Sequence, residues 1–131
     1  MVQIVRLQGT DKRLYQLVAP LVMNPEVLKQ NYNYPFRTSE DFEWFVALEN
    51  KNVIGFVPVE YKKNECVINN YYIKGKHEET LKLLLERIIE VMEQDKYLTA
   101  ITFLEDKAIF GELGFSEEKV WTRYVRMKKD K

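Results

Sequence analysis

The chain has 131 residues, of which 46% are hydrophobic, enough for one domain with a sizeable core and too few for two ordinary domains. Its 20 Lys and Arg residues balance 20 Asp and Glu residues, so no overall field attracts nucleic acid or an anionic membrane, and we expect neither as a partner. The single cysteine, Cys66, excludes an intrachain disulfide, and no N-terminal apolar run resembles a signal peptide or a membrane span. These features predict one domain over residues 1–131 in the reducing cytoplasm.

The first third of the sequence predicts one strand and two helices. Apolar alternation over residues 1–7 is typical of a strand. Leucines and valines at helical spacing predict a helix over residues 11–23, which Pro20 is expected to kink or end. Asn24 and Pro25 are typical of an N-cap and a first helical residue, so they predict a second helix through about Gln30.

The middle of the sequence predicts a three-strand meander. Residues 31–41 are rich in aromatic and turn-forming residues and have neither period, which predicts a loop or a broken helix. Strands over residues 44–48 and 53–61 form a predicted hairpin, in which Pro58 indicates a bulge or an unpaired edge. A third strand is predicted over residues 66–73.

The last third predicts two helices and two strands. One apolar face of a predicted amphipathic helix consists of Leu81, Leu84, Leu85, Ile88 and Met92. A buried strand is predicted over residues 98–104 and a short helix over 106–113, closed by Gly114. Alternation over residues 119–127 predicts a final strand.

The order of these elements and two short segments resemble the GNAT acetyltransferase family over nearly the whole chain. One segment is the strand, basic loop and amphipathic helix of residues 69–90, and the other is Phe110-Gly111-Glu112-Leu113-Gly114-Phe115. The resemblance implies a mixed α/β (α+β) GNAT-like acyl-CoA N-acyltransferase fold, with a central, mostly antiparallel sheet flanked by helices. It also implies that strands 66–73 and 98–104 splay apart to admit the pantetheine arm of acetyl-CoA.

The resemblance places the cofactor site around the loop that follows strand 66–73. The implied cofactor-binding residues are Tyr71, Tyr72, Ile73, Lys74, Gly75, Lys76, His77, Thr80 and Phe110. The family's pyrophosphate loop usually has more glycines, which bring backbone amides close to phosphate. This loop has only Gly75, and Glu78 and Glu79 would repel an anion. We therefore predict a weakened or relocated phosphate site, partly compensated by the charge of Lys74, Lys76 and His77; the alternative is a solvated turn with a helix cap.

Acetyl transfer requires a deprotonated amine, a polarised thioester carbonyl and a protonated thiolate. Many GNAT proteins protonate the thiolate with a tyrosine, and the resembling position here is Phe110, which has no proton to give. Tyr124, Tyr71 or Tyr72 can take this role, or all three are aromatics of the core or of an interface.

Three carboxylates near strand ends are candidate bases. Glu60 and Glu65 flank a predicted turn, and Glu43 precedes the second strand, although exposed carboxylates at such places are mostly solubilising. The predicted catalytic residues are Glu60, Glu65 and Tyr124.

The loop over residues 31–37 corresponds by order to the segment that often covers the acceptor in GNAT proteins. The predicted substrate residues are Tyr32, Tyr34, Phe36 and Arg37. Their rings would form an apolar wall, and Arg37 would suit a carboxylate on the acceptor. The alternative is a loop pinned to the core by its rings.

We therefore predict acetyl-CoA-dependent N-acetyl transfer to a small-molecule or protein amine, with acetyl-CoA as cosubstrate. The alternative is a catalytically inactive GNAT-like domain that binds a ligand or a protein. No Cys and His cluster points to a metal. Trp121 and Tyr124 on the last predicted strand would serve either a homodimer edge or the core of a monomer.

Overall fold

In the computed structural model, which describes residues 1–92 and 96–130, strands and helices are arranged around one sheet. The strands are β1 (Val2–Gln8), β2 (Phe42–Glu49), β3 (Asn52–Tyr61), β4 (Glu65–Ile68), β5 (Tyr72–Ile73), β6 (Tyr97–Phe103), β7 (Phe115–Val120) and β8 (Tyr124–Lys129). The helices are α1 (Lys12–Val22), α2 (Pro25–Gln30), α3 (Glu78–Val91) and α4 (Lys107–Glu112). The sheet order is β1-β2-β3-β4-β6-β8-β7, with β5 paired to β3. Only β4 and β6 are parallel among the described pairs, so the predicted mixed fold with a mostly antiparallel sheet is confirmed.

The two N-terminal helices begin where their caps predict. The Asp11 side chain accepts a hydrogen bond from the amide of Arg13 at the start of α1, and the Asn24 side chain accepts one from Glu26 at the start of α2. Pro20 was predicted to kink or end the helix. It does not end the helix, because α1 continues to Val22. Proline removes one amide from the helical ladder, and this loss falls close to the natural end of α1, where it disrupts little.

Both faces of the central strands are buried, because helices cover each side of the sheet. On one side, α1 and α2 pack on a cluster that contains Leu14, Val18, Val27, Trp44, Val46 and Phe56. On the other side, α3 packs on a cluster that contains Phe45, Val57, Val59, Leu81, Leu84, Leu85 and Ile88. The predicted hairpin between β2 and β3 is confirmed, and its turn residues Asn50 and Lys51 have φ of 51° and 69°, as a two-residue type I′ turn requires.

The strand predicted over residues 66–73 is divided into β4 and β5. Val59 pairs with Ile68 and Phe56 pairs with Tyr72, so one extra residue lies between the two pairs on the β4–β5 side. The interruption lies opposite Pro58, which has no amide to donate to a ladder. Within the hairpin, Pro58 pairs regularly with Trp44 and the register shift lies between Ala47 and Leu48, so the bulge predicted at Pro58 is wrong. On its other side, Pro58 falls between the described pairs with β4 and β5, which agrees with the alternative of an unpaired edge.

The single final strand predicted over residues 119–127 is wrong. The chain instead forms a hairpin of β7 and β8, and the amide of Trp121 donates to the carbonyl of Tyr124 across its turn. The alternation of residue types continues through the turn, so periodicity does not reveal it. Since β8 lies between β6 and β7, the sheet edge belongs to β7, and Trp121 lies in the turn. The possible homodimer stays a prediction.

Cys66 is buried in the core, as expected for a small apolar side chain. Among the described residues, no helix is long and apolar enough to cross a bilayer.

Candidate functional site in a gap between two strands

The parallel strands β4 and β6 stay paired over four residues and then separate. Their register runs from Glu65 opposite Tyr97 to Ile68 opposite Ala100. Beyond it, β5 pairs with β3, whereas residues 101–103 of β6 pair with β8. The two strands thus splay apart, as the resemblance implies. The carboxyl ends of β5 and β6 lie on opposite sides of the resulting gap.

A narrow cavity of about 30 Å³, the gap cavity, lies between the separated strands and the start of α3. Its lining is Val27, Gln30, Asn31, Tyr71, Tyr72, Ile73, Lys76, His77, Glu78, Leu81, Phe103, Glu105 and Asp106. Five of the predicted cofactor residues therefore share it with three carboxylates, Glu78 on α3 and Glu105 and Asp106 after β6.

Tyr71 crosses the gap and connects its two sides. Its hydroxyl donates to the carboxylate of Asp106, lies 2.6 Å from Thr102 Oγ1 and accepts from the amide of Phe103 at 3.3 Å. Its ring packs against Phe103 and Phe110 at centroid distances of 5.4 and 6.1 Å. We call this arrangement the Tyr71 bridge, and it narrows the gap by tying the β4–β5 side to β6.

The Tyr71 bridge perturbs both of its ionisable groups. Burial and the nearby charge of Asp106 raise the pKa of Tyr71 well above its ordinary value. Burial also raises the pKa of Asp106, although the hydrogen bond from Tyr71 acts in the opposite direction. Because the phenol holds its proton tightly and directs it to Asp106, Tyr71 is poorly suited to protonate a leaving thiolate.

The loop after β5 forms one tight turn before α3. Gly75 and Lys76 have φ of 64° and 53°, and the amides of Thr80 and Leu81 both donate to the carbonyl of His77. The His77 side chain makes no capping hydrogen bond.

Acidic residues offset the positive charge of this loop. Lys76 Nζ lies 3.3 Å from Glu105 Oε1, and Glu78 and Glu79 occupy the first turn of α3. Lys74, Gly75, His77 and Thr80 line an open groove beside the same turn. The N-terminus of α3 therefore faces solvent, and the carboxylates around it offset the charge of the lysines. This offset weakens the helix N-terminus as a binding site for an anion.

Three of the predicted cofactor residues, Tyr72, Ile73 and Phe110, also pack in the sheet and core around the gap. Tyr72 packs on Phe56 at 5.5 Å, and Ile73 pairs with Gly55 in the ladder between β5 and β3. Phe110 on α4 is fully buried, and its ring lies 5.3 Å from that of Phe115.

A second pocket, of about 390 Å³, opens beside the gap under the loop of residues 31–37. We call it the loop pocket; its lining is Tyr34, Pro35, Arg37, Asn69, Asn70, Ile101 and Tyr124. The buried side-chain amide of Asn31 donates to Tyr34 O at 3.0 Å and to Asn70 Oδ1 at 3.1 Å. These two bonds fix the loop to the interruption between β4 and β5, and so shape the pocket.

The rings of the loop divide between the core and the loop pocket. Phe36 packs edge-on against Phe56 at 5.2 Å, so this ring pins the loop to the core. Tyr32 lies beside Tyr124 at 5.8 Å, and the guanidinium of Arg123 lies 4.5 Å from the centre of the Tyr32 ring. Burial and the neighbouring tyrosines Tyr34 and Tyr32 raise the pKa of Tyr124.

The candidate bases lie away from both cavities. Glu65 is at the paired end of β4, where its carboxylate accepts from Arg126 at 3.2 Å, and Glu60 pairs with Val67 in the same part of the sheet. Glu43 accepts from Arg6 at 2.6 and 2.7 Å and from Tyr61. The structure therefore brings neither Glu60 nor Glu65 together with Tyr124.

The residues that sequence reasoning missed are Asn31, Thr102, Asp106 and Arg123. Asp106 lies three residues after the end of β6, and a carboxylate just beyond a buried strand is a signal that could have singled it out. Arg123 gives no local signal, because the alternation of residue types continues through the turn that contains it. Asn31 and Thr102 give no distinctive local signal.

The described geometry is similar to that of several solved proteins. The Escherichia coli ElaA structure is 13% identical, with a TM-score of 0.79 over 99% of this chain and 100% of ElaA. An acyl-CoA N-acyltransferase from Pseudomonas aeruginosa is 14% identical, with a TM-score of 0.80 and the same coverage, 99% and 100%. The PaiA N-acetyltransferase from Thermoplasma acidophilum, solved in complex with coenzyme A, is 14% identical, with a TM-score of 0.66 over 100% and 99% of the two chains.

No protein-family model and no curated protein matches the sequence. Identities of 13–14% mean that the structural likeness establishes the fold and leaves the chemistry to be argued from the site. The order of the strands, the gap between β5 and β6 and the solved neighbours agree: the chain has the fold of the GNAT N-acetyltransferases.

Proposed function

We propose that this protein is an acyl-CoA-dependent N-acyltransferase that uses acetyl-CoA and a small-molecule or protein amine. The observation that carries the proposal is the gap between β5 and β6. Past residue 68, the facing backbone groups of the two strands are not used in a ladder with each other. Unpaired strand edges can hydrogen-bond an extended chain, and the amide-containing pantetheine arm is such a chain.

The residues around the gap fit the pantetheine arm better than they fit the phosphates. Backbone groups near Tyr72 and Ile73 would bind the arm, and a strand amide there would polarise the thioester carbonyl. Lys74, Lys76 and His77 would hold the phosphates as point charges, helped by the N-terminus of α3. Because acidic residues surround this loop, we expect weak, salt-sensitive binding of the diphosphate.

The loop pocket would hold the acceptor amine beside the gap. Tyr124 is the predicted catalytic residue that lines this pocket, and its raised pKa keeps it protonated, so we propose that it donates a hydrogen bond there. Glu60 and Glu65 stay a prediction: Glu65 lies at the end of β4 away from the gap, and Glu60 on β3 lines neither cavity.

A second candidate function is a noncatalytic GNAT-like domain that binds a ligand or a protein. Two observations favour it: Phe110 stands where many members have a tyrosine, and the Tyr71 bridge leaves a gap cavity of about 30 Å³. A cavity of this size holds about one or two water molecules, so an arm must displace side chains to enter.

Calorimetric titration with acetyl-CoA and with free CoA at low salt tests the proposal, together with an assay of CoA release in the presence of amines. We expect binding near micromolar Kd, about 8 kcal/mol of favourable free energy, and CoA release that depends on the amine. Lys74→Ala and Lys76→Ala should weaken binding, whereas Lys29→Ala on α2 should not, because Lys29 lies outside the gap.

Failure to bind at millimolar acetyl-CoA would reject the acyltransferase proposal for this chain. Binding without amine-dependent turnover would favour the noncatalytic domain.

A further inference from the structure

Among the described residues that line the loop pocket, there is positive charge and no carboxylate. Arg37 is the charged residue in its described lining. Among the described residues, Arg37 makes no ion pair and no hydrogen bond. By contrast, Arg6 is paired with Glu43 at 2.6 Å and Arg126 with Glu65 at 3.2 Å.

A second arginine adds to this positive potential. Arg123 stacks on the ring of Tyr32, which in turn contacts the ring of Tyr124 in the pocket lining. Within the described part of the chain, the guanidinium of Arg123 has no carboxylate partner either. A guanidinium on an aromatic face keeps its hydrogen-bond donors free for an anion.

This charge pattern selects among amines. A simple amine approaches as an ammonium ion, which the arginine side chains repel. An amine with its own carboxylate is attracted instead, because Arg binds carboxylates through two parallel hydrogen bonds. Tyr34, Ile101 and Tyr124 supply apolar surface for the rest of the molecule, and about 390 Å³ is the size of a small-molecule site.

We propose that the loop pocket binds an amino-acid-like acceptor that carries an amine, a carboxylate and an apolar or aromatic side chain. Arg37 binds the carboxylate, and Arg123 reinforces the positive potential from the rim. Acetylation of the amine rests on the proposed function, whereas binding of the carboxylate by Arg37 does not require turnover.

Two acceptors that differ only in the carboxylate test the proposal. Phenylalanine should be acetylated with a kcat/KM roughly tenfold or more above that of phenethylamine. Arg37→Gln should remove this preference by lowering kcat/KM for phenylalanine alone. Arg13→Gln is the matched control, since Arg13 lies on α1 and lines neither cavity.

Binding of N-acetylphenylalanine, followed by NMR titration of wild type and Arg37→Gln, separates the acceptor proposal from the proposed function. Binding that is lost in Arg37→Gln supports the carboxylate site, even if no acceptor is turned over and the acyltransferase proposal fails. Equal kcat/KM for the two acceptors, binding unchanged in Arg37→Gln, or no binding to wild type would overturn it. Since Arg37 is exposed, the variant is expected to fold, which circular dichroism checks.

Discussion

The gap cavity and the loop pocket lie on either side of the same interruption in the sheet, yet they differ in size, burial and charge. The gap cavity measures about 30 Å³ and is lined by Glu78, Glu105 and Asp106. The loop pocket measures about 390 Å³ and carries Arg37. A cationic amine and an anionic cofactor would each prefer the opposite arrangement of charge. The sheet provides both openings, whereas the side chains of the loops and helix ends give each opening its charge.

The largest expected effect is a difference in stability between a buried residue beside the gap cavity and an exposed residue of the loop pocket. Phe110→Ala should lower the free energy of unfolding by about 3–5 kcal/mol, because it leaves a cavity beneath the Tyr71 bridge. Tyr34→Ala on the loop pocket should change it by no more than about 0.5 kcal/mol, because Tyr34 is 59% exposed. Urea denaturation of both variants measures the difference, and similar losses would contradict it.

The Tyr71 bridge should hold the gap closed and thereby weaken the binding of acetyl-CoA. Tyr71→Phe removes the hydrogen bond to Asp106, so we expect a loss of about 1.5–3 kcal/mol in the free energy of unfolding. It should also lower the Kd for acetyl-CoA, since the two sides of the gap are no longer tied. Tyr72→Phe is the control because its hydroxyl forms no such bridge, and weaker acetyl-CoA binding to Tyr71→Phe would disprove the closing role.

The two carboxylates with shifted pKa should show opposite dependence on pH. The folded pKa of Asp106 lies above its unfolded value, so the stability that its protonated form contributes is present below the unfolded pKa and is lost as pH rises through the folded pKa. At Glu43, burial alone would raise the pKa, but the hydrogen bonds from Arg6 and Tyr61 outweigh burial and lower it. Stability from Glu43 is therefore present above its unfolded pKa and is lost as pH falls through the folded pKa.

Melting temperatures between about pH 4 and about pH 7 check these signs, since unperturbed carboxyl groups titrate near pH 4. Relative to wild type, Asp106→Asn should gain stability as the pH rises, whereas Glu43→Gln should lose it. Parallel curves for the two variants would show that the gap does not disfavour the Asp106 carboxylate.

The smallest expected effect concerns the charge around the cofactor loop. Glu78→Gln should strengthen CoA binding by about 0.3–1 kcal/mol, because it removes a carboxylate from the first turn of α3. Glu86→Gln, on the exposed side of the same helix, should leave the Kd unchanged. If both variants bind CoA like wild type in calorimetry, the phosphates are bound elsewhere.

Much of the fold was predictable because its signals are local. Asn24 and Pro25 marked the start of α2, and the leucines of α3 marked a buried face, since both patterns depend on residues within one or two turns. The prediction that Pro20 ends the helix failed because the missing amide falls close to the natural end of α1. At residues 119–127 it failed because alternation of residue types concealed a turn. Of the site, the loop pocket residues Tyr34 and Arg37 were predicted by order in the chain, while Asp106 and Arg123 were not.

By itself, the sequence determined the N-caps of α1 and α2, the type I′ hairpin and the amphipathic face of α3. It also determined that the loop after β5 has a single glycine, Gly75. Each depends on neighbours along the chain or on backbone conformation at one residue. Only the tertiary structure decided that Tyr71 meets Asp106 across the gap, 35 residues away. The same is true of Arg123, which stacks on Tyr32 beside Tyr124, a residue that lines the loop pocket with Arg37. Those contacts depend on strand order and register, because a shift of one residue in pairing moves each side chain to the other face of the sheet.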